Sequence, residues 1–473
     1  DRGRVTRSEV LKEMNINGKT RTLGLLGDPV EHTMSPAIHN SLSEYLGINN
    51  VYVPFHVTSK GLEAAVKGAY ELNILGLNAT VPHKNQVMEY LVDIDDSGKG
   101  IGAVNTLVRC EGGYKGYNTD MMGLSRELAS YGVELQNKKV IILGAGGAAK
   151  AVAYMCMEQN ASHIYILNRT ISKAQDIADH MNSFFHREAM TAMNIKDYEK
   201  LADYIHLADN SSEEKYVVFQ STSIGLYPHN DEAVIEDEAF YDMVQVGIDL
   251  IYKPFETKFM SLCRAAGAKA YNGLKMLLYQ GIIAYELWNN IQVSEDIADK
   301  IYHTLLKETR DNIILTGFMG CGKTTVGTRL AELQGYSFLD TDKYIEEKAG
   351  CSISEIFTKH GEEYFRNMET AVLRELNNSL SHTVISTGGG LPLRQENADE
   401  LSKLGKVVYL RITPEEVMSR LAGDRTRPLL ACDNPEAKVR ELLSYRNPIY
   451  EKGADLIVDV SGQKVEDIIS MFC

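Results

Sequence analysis

The fold class this sequence predicts is α/β, built on parallel sheets in two successive parts. Three observations predict it. Short β-rich runs alternate with helical periods along almost the whole chain. Two glycine-rich turns of different spacing, GAGGAA from Gly144 and GFMGCGKT from Gly317, each follow an apolar strand and open a helix. The chain has 473 residues, more than one ordinary core holds, which suits about two to four domains.

In chain order, TLGLLG, VYVPFHV and LGLNATVP read as strands, with SPAIHNSLSEYLG and SKGLEAAVKGAYELN as the helices between them. A second unit opens at KKVIILGAGGAAKAVAYMCMEQ and continues through the strands HIYILN, KYVVFQ and VGIDLIY. The charged, helical SEDIADKIYHTLLKETRDN leads into the strand IILTGF, which places the main boundary near residues 305–310. The last part has its own strands, TVIST, KVVYLRI and ADLIVDV, and is long enough to fold alone.

Composition narrows the function classes. At 44% hydrophobic and 24% charged, with no biased tract, the chain reads as globular. A formal net charge of -15 argues against nucleic acid or an anionic membrane as the main partner. Seven scattered cysteines, with no CxxC pair, read as free thiols in a reducing cytosol rather than as disulfides or a zinc site. No apolar run reaches the roughly 18 residues that span a bilayer. Residues 1–16 are polar and read as a tail or remnant outside the fold.

GFMGCGKT satisfies GxxxxGK[ST] through Gly317, Gly322, Lys323 and Thr324. Backbone N–H groups at Gly320, Cys321, Gly322 and Thr325 suit phosphate oxygens, and Lys323 supplies a point charge to the β- and γ-phosphates. The Thr324 hydroxyl suits magnesium. Downstream, LDTD places Asp340 and Asp342 after a short apolar step. Such alternating carboxylates suit a metal and an acceptor hydroxyl, and on spacing alone they equally suit a solvated acidic turn. Arg366, the glycines Gly388, Gly389 and Gly390, Arg425, Arg427 and Arg446 follow. Isolated arginines are usually solvated or salt-bridged.

The P-loop, LDTD, FR, GGG, RPLL and YR, in this order and approximate spacing, resemble shikimate kinase over residues 309–473. The resemblance implies a small P-loop fold that uses ATP and Mg2+. It implies that Asp342 orients the acceptor hydroxyl and acts as its base, and that Asp340 holds magnesium through water. Arg366 and Arg446 would grip a substrate carboxylate, and Gly388–Gly390 would approach the ring hydroxyls. Arg427 would descend with a lid over about residues 422–434 to neutralise the transferring phosphoryl group.

The earlier turn, with Gly144, Ala145, Gly146, Gly147 and Ala148, lets a pyrophosphate approach a helix N-terminus. The next strand ends in Asn168, Arg169 and Thr170, with Lys173 nearby, where an NAD site usually carries an acid. A cation and a hydroxyl there favour the 2′-phosphate of NADP. Lys84, Asn105 and Asp120 stand in NATVPHK, IGAVNT and GYNTD. A Lys/Asp pair can move a proton during carbonyl reduction. By themselves, though, Lys84 suits an exposed lysine and Asp120 a helix N-cap.

These segments, with GDPVEHTMSPAIHN, NRT, STSIGL and KMLLYQ, resemble shikimate dehydrogenase over about residues 17–300. The resemblance implies Lys84 and Asp120 as the catalytic pair. It implies Thr33 and Ser35 at the substrate carboxylate, Thr80, Asn105 and Gln280 at the ring hydroxyls, and Tyr252 as a further substrate contact. Thr222 and Gly225 would lie along the nicotinamide. Two positions depart from the family pattern. Thr33-Met34-Ser35 stands where Ser-Lys-Ser or Ser-Leu-Ser is common, and Gln220-Ser221 where Asn-Cys or Asn-Ala is common. His32, His39 and His83 lie inside motifs and read as structural hydrogen-bonding groups.

The expectation is therefore a two-lobed dehydrogenase over residues 17–305, followed by the kinase over 309–473. The substrate lobe would span 17–119 and 272–305, and the NADP-binding Rossmann lobe 120–271. The two loops would serve successive reactions on one small molecule, 3-dehydroshikimate to shikimate and shikimate to shikimate 3-phosphate. The alternatives are a quinate-type or NAD-using dehydrogenase fused to the kinase, and a regulator that binds metabolite without turnover.

Overall fold

The structure is a computed structural model that describes residues 16–31, 33–202, 215–226, 229–310, 312–376, 380, 382–421 and 434–472. Contacts divide the chain into two units. One comprises Asp1–Tyr252 and Thr257–Tyr302, the other Lys253–Glu256 and His303–Cys473. The division falls inside the helix Glu295–Thr309, close to the boundary the charged helical segment suggested.

The first unit holds two sheets. The first sheet is mixed and contains β1 (Arg21–Gly27), β2 (Asn50–His56), β3 (Gly76–Ala79), β4 (Asp93–Ile94), β5 (Thr106–Cys110) and β6 (Gly113–Tyr117), in the order β2-β1-β3-β5-β6-β4. Its parallel β2, β1 and β3 come from the predicted strand–helix alternation, while β5 and β6 add an antiparallel hairpin. Leu26, Leu62, Leu77, Leu107 and Tyr114 fill the core on one face.

The second sheet is parallel throughout. It contains β7 (Lys139–Leu143), β8 (His163–Asn168), β9 (Met190–Asn194), β10 (Tyr216–Gln220), β11 (Val244–Asp249) and β12 (Lys269–Asn272), in the order β12-β11-β10-β7-β8-β9. The winding reverses between β7 and β10, which is the doubly wound Rossmann order. Continuous apolar runs such as KVIIL and YVVFQ are buried because helices cover both faces.

The second unit is built on one parallel sheet. It contains β13 (Ile313–Thr316), β14 (Ser337–Asp340), β15 (Thr383–Ser386), β16 (Lys406–Arg411) and β17 (Leu456–Asp459), in the order β14-β15-β13-β16-β17. The strand that feeds the P-loop is thus the central one, with Leu315, Val384 and Val408 fully buried around it. Among the described residues, no helix is long and apolar enough to cross a membrane.

Candidate active sites

Register fixes the first site. The pairs Leu26↔Ala79, Asn78↔Thr106 and Thr106↔Tyr117 bring the ends of β1, β3 and β6 and the start of β5 to one edge of the first sheet. At this edge the chain runs into Thr33 and Ser35, into Thr80–Lys84, through Asn105, and into Asn118–Asp120. Asn118 caps the helix Thr119–Ser130, its Oδ1 accepting from the Met121 N–H at 3.1 Å. The cap position that Asp120 could have filled is therefore taken, and the Asp120 carboxylate turns to Lys84. Lys84 Nζ donates to Asp120 Oδ2 at 2.7 Å, with side-chain exposures of 33% and 22% that leave the pair open to a substrate.

Asn105 sets the other half of this carboxylate. Its Nδ2 donates to Asp120 Oδ1 at 2.9 Å, while its Oδ1 accepts from Thr119 N at 2.7 Å, which fixes the amide's orientation. Behind it, Asn78 donates to the Asn105 carbonyl at 3.1 Å and accepts from the Tyr52 hydroxyl at 2.8 Å. Thr33 Oγ1 donates to Ser35 Oγ at 3.1 Å, so the two hydroxyls face each other. The helix Leu274–Asn289 packs against both Ser35–Leu46 and Thr119–Ser130 and carries Gln280 between them. Gln280 Nε2 donates to the Leu277 carbonyl at 2.9 Å.

Two histidine readings separate here. His83 is a structural hydrogen-bonding group, with Nε2 2.6 Å from the Val57 carbonyl. His39 stacks on Tyr52 at 4.2 Å, and burial pushes its pKa down to about 3 against the opposing pull of Asn78, which keeps it neutral. His32 lies outside the described residues.

The second sheet supplies a second edge. The pairs Gln220↔Leu143, Gln220↔Asp249 and Asp249↔Asn272 align four strand ends, so that Gly144, Ser221, Leu250 and Gly273 follow in one row beside the point where the winding reverses. Ligands of such sheets bind outside the carboxyl ends at this place. Gly144 has φ +109°, and a Cβ there would lie 2.8 Å from Thr222 Cγ2, so only glycine fits. The helix Gly147–Glu158 has no side-chain cap, and Ala145, Gly146, Gly147 and Ala148 leave its first N–H groups accessible. Arg169, Thr170 and Lys173 are exposed beyond β8, beside Asn168, whose Nδ2 donates to the Thr170 carbonyl at 2.9 Å. Tyr252 is half-buried just past β11, and Gly225 takes a left-handed φ of +107°.

The second unit gathers its motifs around a cavity of about 710 Å3. The P-loop, Asp340, Asp342, Gly388 and Gly389 line it. Lys323 Nζ donates to the Gly317 carbonyl at 2.8 Å, and Thr324 Oγ1 donates to Asp340 Oδ2 at 3.2 Å. Asp340 also caps the helix Thr341–Ala349, accepting from the Asp342 N–H at 3.1 Å. It is thus no solvated turn. Burial first, and the Asp340 charge second, push the Asp342 carboxyl above the usual range. Gly388 and Gly390 permit close approach, since Cβ atoms there would lie 2.4 Å from Asp342 Oδ1 and 2.6 Å from the Arg366 guanidinium.

Arg366 donates to Glu369 Oε2 at 2.8 Å and to Glu362 Oε1 at 3.1 Å, and Arg446 lies 5.6 Å from the Phe318 ring centre. The Tyr450 hydroxyl donates to the Gly389 carbonyl. Arg425, Arg427 and, apart from Asn434, the expected lid over about 422–434 lie outside the described residues. Among the described residues, no group of three or more His, Cys, Asp or Glu forms a metal cluster, and Thr324 and Asp340 stand hydrogen-bonded beside the P-loop. Sequence reasoning missed Arg420, whose Nη1 donates to the Gly320 carbonyl at 3.3 Å, and Gln463, Lys464, Val465 and Ile468, which complete the cavity. Arg420 stands four residues after Glu416 on a helix, a spacing that reads as a surface ion pair, and that pair does form at 2.8 Å.

Known families match in the same order as these sites. Residues 25–107 match the family model for the shikimate dehydrogenase substrate binding domain, 127–234 that for shikimate / quinate 5-dehydrogenase, and 319–473 that for shikimate kinase. An NADP(+) shikimate dehydrogenase of Methanobrevibacter smithii is 38% identical over 286 residues, spanning 60% of this chain and 97% of that protein. One of Methanocaldococcus jannaschii is 38% identical over 292 residues, 60% of this chain and 99% of the relative. Among solved structures, the Listeria monocytogenes shikimate 5-dehydrogenase in complex with shikimate and NAD aligns with a TM-score of 0.56 at 30% identity, covering 61% and 98% of the two chains. A quinate dehydrogenase of Corynebacterium glutamicum in complex with NAD aligns with 0.53 at 26%, covering 61% and 99%. The chain belongs to the shikimate dehydrogenase family and continues, past that region, into a shikimate kinase domain.

Proposed function

We propose that the first unit reduces 3-dehydroshikimate to shikimate with NADPH and that the second phosphorylates shikimate to shikimate 3-phosphate with MgATP. The observation that carries the reading is the Lys84–Asp120 pair at 2.7 Å, on the sheet edge that also presents Thr33, Ser35, Thr80 and Asn105. When bound, NADPH supplies the hydride, ATP the phosphoryl group, and magnesium charge neutralisation.

Lys84 gives a proton to the ketone oxygen as the carbon is reduced, and takes it back in the reverse direction. Asp120 orients the ammonium, and Asn105 holds Asp120 from the other side. Thr33 and Ser35 receive the substrate carboxylate. Thr80, Asn105 and Gln280 receive the ring hydroxyls, with Tyr252 closing the site. Gly144–Ala148 would hold the cofactor's pyrophosphate at the uncapped helix. Asn168, Arg169, Thr170 and Lys173 would hold the 2′-phosphate, and Thr222 and Gly225 would lie along the nicotinamide.

In the second unit Asp342 accepts the acceptor hydroxyl's proton, a task its raised pKa suits. Arg366 and Arg446 grip the substrate carboxylate, while Gly388–Gly390 admit the ring. Gly320, Cys321, Gly322, Thr324 and Thr325 would cradle phosphate, Lys323 and Arg427 would neutralise it, and Thr324 with Asp340 would hold magnesium. The domains we assign are 17–305 and 309–473. The described free thiols Cys110, Cys156, Cys263, Cys321 and Cys351 fit a reducing cytosol.

The test is one reaction containing 3-dehydroshikimate, NADPH, ATP and magnesium, with products identified by mass. Wild type is expected to form shikimate 3-phosphate. Lys323→Ala should stop at shikimate, and Lys84→Ala should lower reduction by about 10²–10⁴ while still phosphorylating added shikimate. Binding of both ligands without turnover would instead make the chain a metabolite sensor. Thr33 and Gln220-Ser221 permit a second reading, a quinate-type substrate, against which Asn168-Arg169-Thr170 argues; turnover of quinate with NAD in place of shikimate with NADP would establish it.

A further inference from the structure

Gln220 ends β10 and is fully buried. No step of the proposed chemistry uses it, yet its amide closes around the segment that follows. Gln220 Oε1 accepts from the Thr222 N–H at 2.6 Å. Its Nε2 donates to the Ile224 carbonyl at 2.8 Å and to Asp249 Oδ1 at 3.3 Å. One side chain thus binds the main chain on both sides of Ser223. Thr222 Oγ1 adds a third tie by accepting from Ile224 N at 3.1 Å.

Asp249 stands behind this loop, also fully buried. Its Oδ1 accepts from the Ile251 N–H at 3.0 Å and its Oδ2 from the Thr257 hydroxyl at 2.5 Å. Ile251 precedes Tyr252, the expected substrate contact. One carboxyl therefore supports both the loop expected to meet the nicotinamide and the segment that carries the substrate tyrosine. Ser221 completes the arrangement, its Oγ donating at 2.7 Å to the Leu143 carbonyl, one residue before the dinucleotide turn.

We propose that Gln220, seated on Asp249, is a positioning residue for hydride transfer that holds the loop Thr222–Gly225 against the nicotinamide half of the cofactor. The inference rests on the dehydrogenase reading of the first unit. Asparagine, common at this place in the family, is shorter by one methylene, about 1.5 Å of reach. From the same backbone it cannot span Thr222 N, Ile224 O and Asp249 together. The chain has fastened this loop through a longer side chain.

Two measurements test it. First, wild type and Gln220→Asn are compared for reduction of 3-dehydroshikimate, using NADPH with hydrogen or deuterium at the transferred position. Losing a buried hydrogen bond should raise KM for NADPH about tenfold and raise the deuterium isotope effect on kcat. The kinase rate should be unchanged. Equal KM and isotope effect, with kcat lowered only in proportion to lost native protein, overturn the proposal. Second, hydrogen exchange is followed in wild type alone, so a variant that fails to fold does not decide the matter. The Thr222 amide should be protected without cofactor, and exchange there as fast as in an open loop overturns the proposal. Wild type that reduces nothing would remove the dehydrogenase reading itself, a result distinct from either of these.

Discussion

Asp249 and Glu369 are carboxyl groups sealed inside the two units, and burial pushes both up to about 7. They sit one step behind the candidate sites, Asp249 under Gln220 and the loop Thr222–Gly225 that it holds, Glu369 against Arg366. For Asp249 the sign of the pH effect follows from linkage. Between about pH 4 and pH 7 the unfolded chain has lost this proton while the folded chain keeps it, so rising pH lowers the residue's contribution to stability. That contribution is fully present below about pH 4 and is lost by about pH 7. Asp249→Asn removes the titration. The stability difference between wild type and Asp249→Asn, from denaturant midpoints, should change by up to roughly 4 kcal/mol across that window. A difference that stays flat with pH would show that the Thr257, Ile251 and Gln220 donors offset the burial.

The helices Thr119–Ser130 and Leu274–Asn289 are the elements that bring Asp120 and Gln280 to one place. Gly123, one turn past Asp120, sets their spacing. A Cβ there would lie 2.6 Å from the Gln280 backbone N and 2.9 Å from the Met276 carbonyl, and backbone cannot turn aside as a side chain can. Gly123→Ala should therefore cost about 1–3 kcal/mol in thermal stability and lower reduction, with the kinase reaction as the internal control. Elements also explain what the sequence made legible. Central strands such as KVIIL, YVVFQ and IILT are uniform apolar runs, and their fate is plain from composition. The strands passed over are β4, β5, β6, β9, β12 and β14, of which all but the hairpin β5–β6 lie at the edge of a sheet. An edge strand is covered on fewer sides, so MTAMN and KAYN mix polar and apolar residues without a clear period. The catalytic motifs were legible because turn chemistry and charge are local. Arg420 and Asp249 were not, because partners of both come from other elements and loops.

At the scale of the whole chain, two compact units carry separate cores. Each should respond to its own ligands. In calorimetry, NADP+ at about 100 times its Kd should stabilise only the transition of the first unit, by about 2.7 kcal/mol, and ATP with magnesium only that of the second. A single transition raised equally by either ligand would mean that the units unfold as one. The two edges of the first unit differ in another respect. The row Gly144, Ser221, Leu250 and Gly273 offers an expected dinucleotide largely main chain and glycine, whereas Thr33, Ser35, Thr80, Lys84, Asn105 and Gln280 offer polar side chains. Point substitution rewrites side chains and leaves peptide groups as they were. Drift in such a protein should alter the acid it reduces far more readily than its use of a dinucleotide.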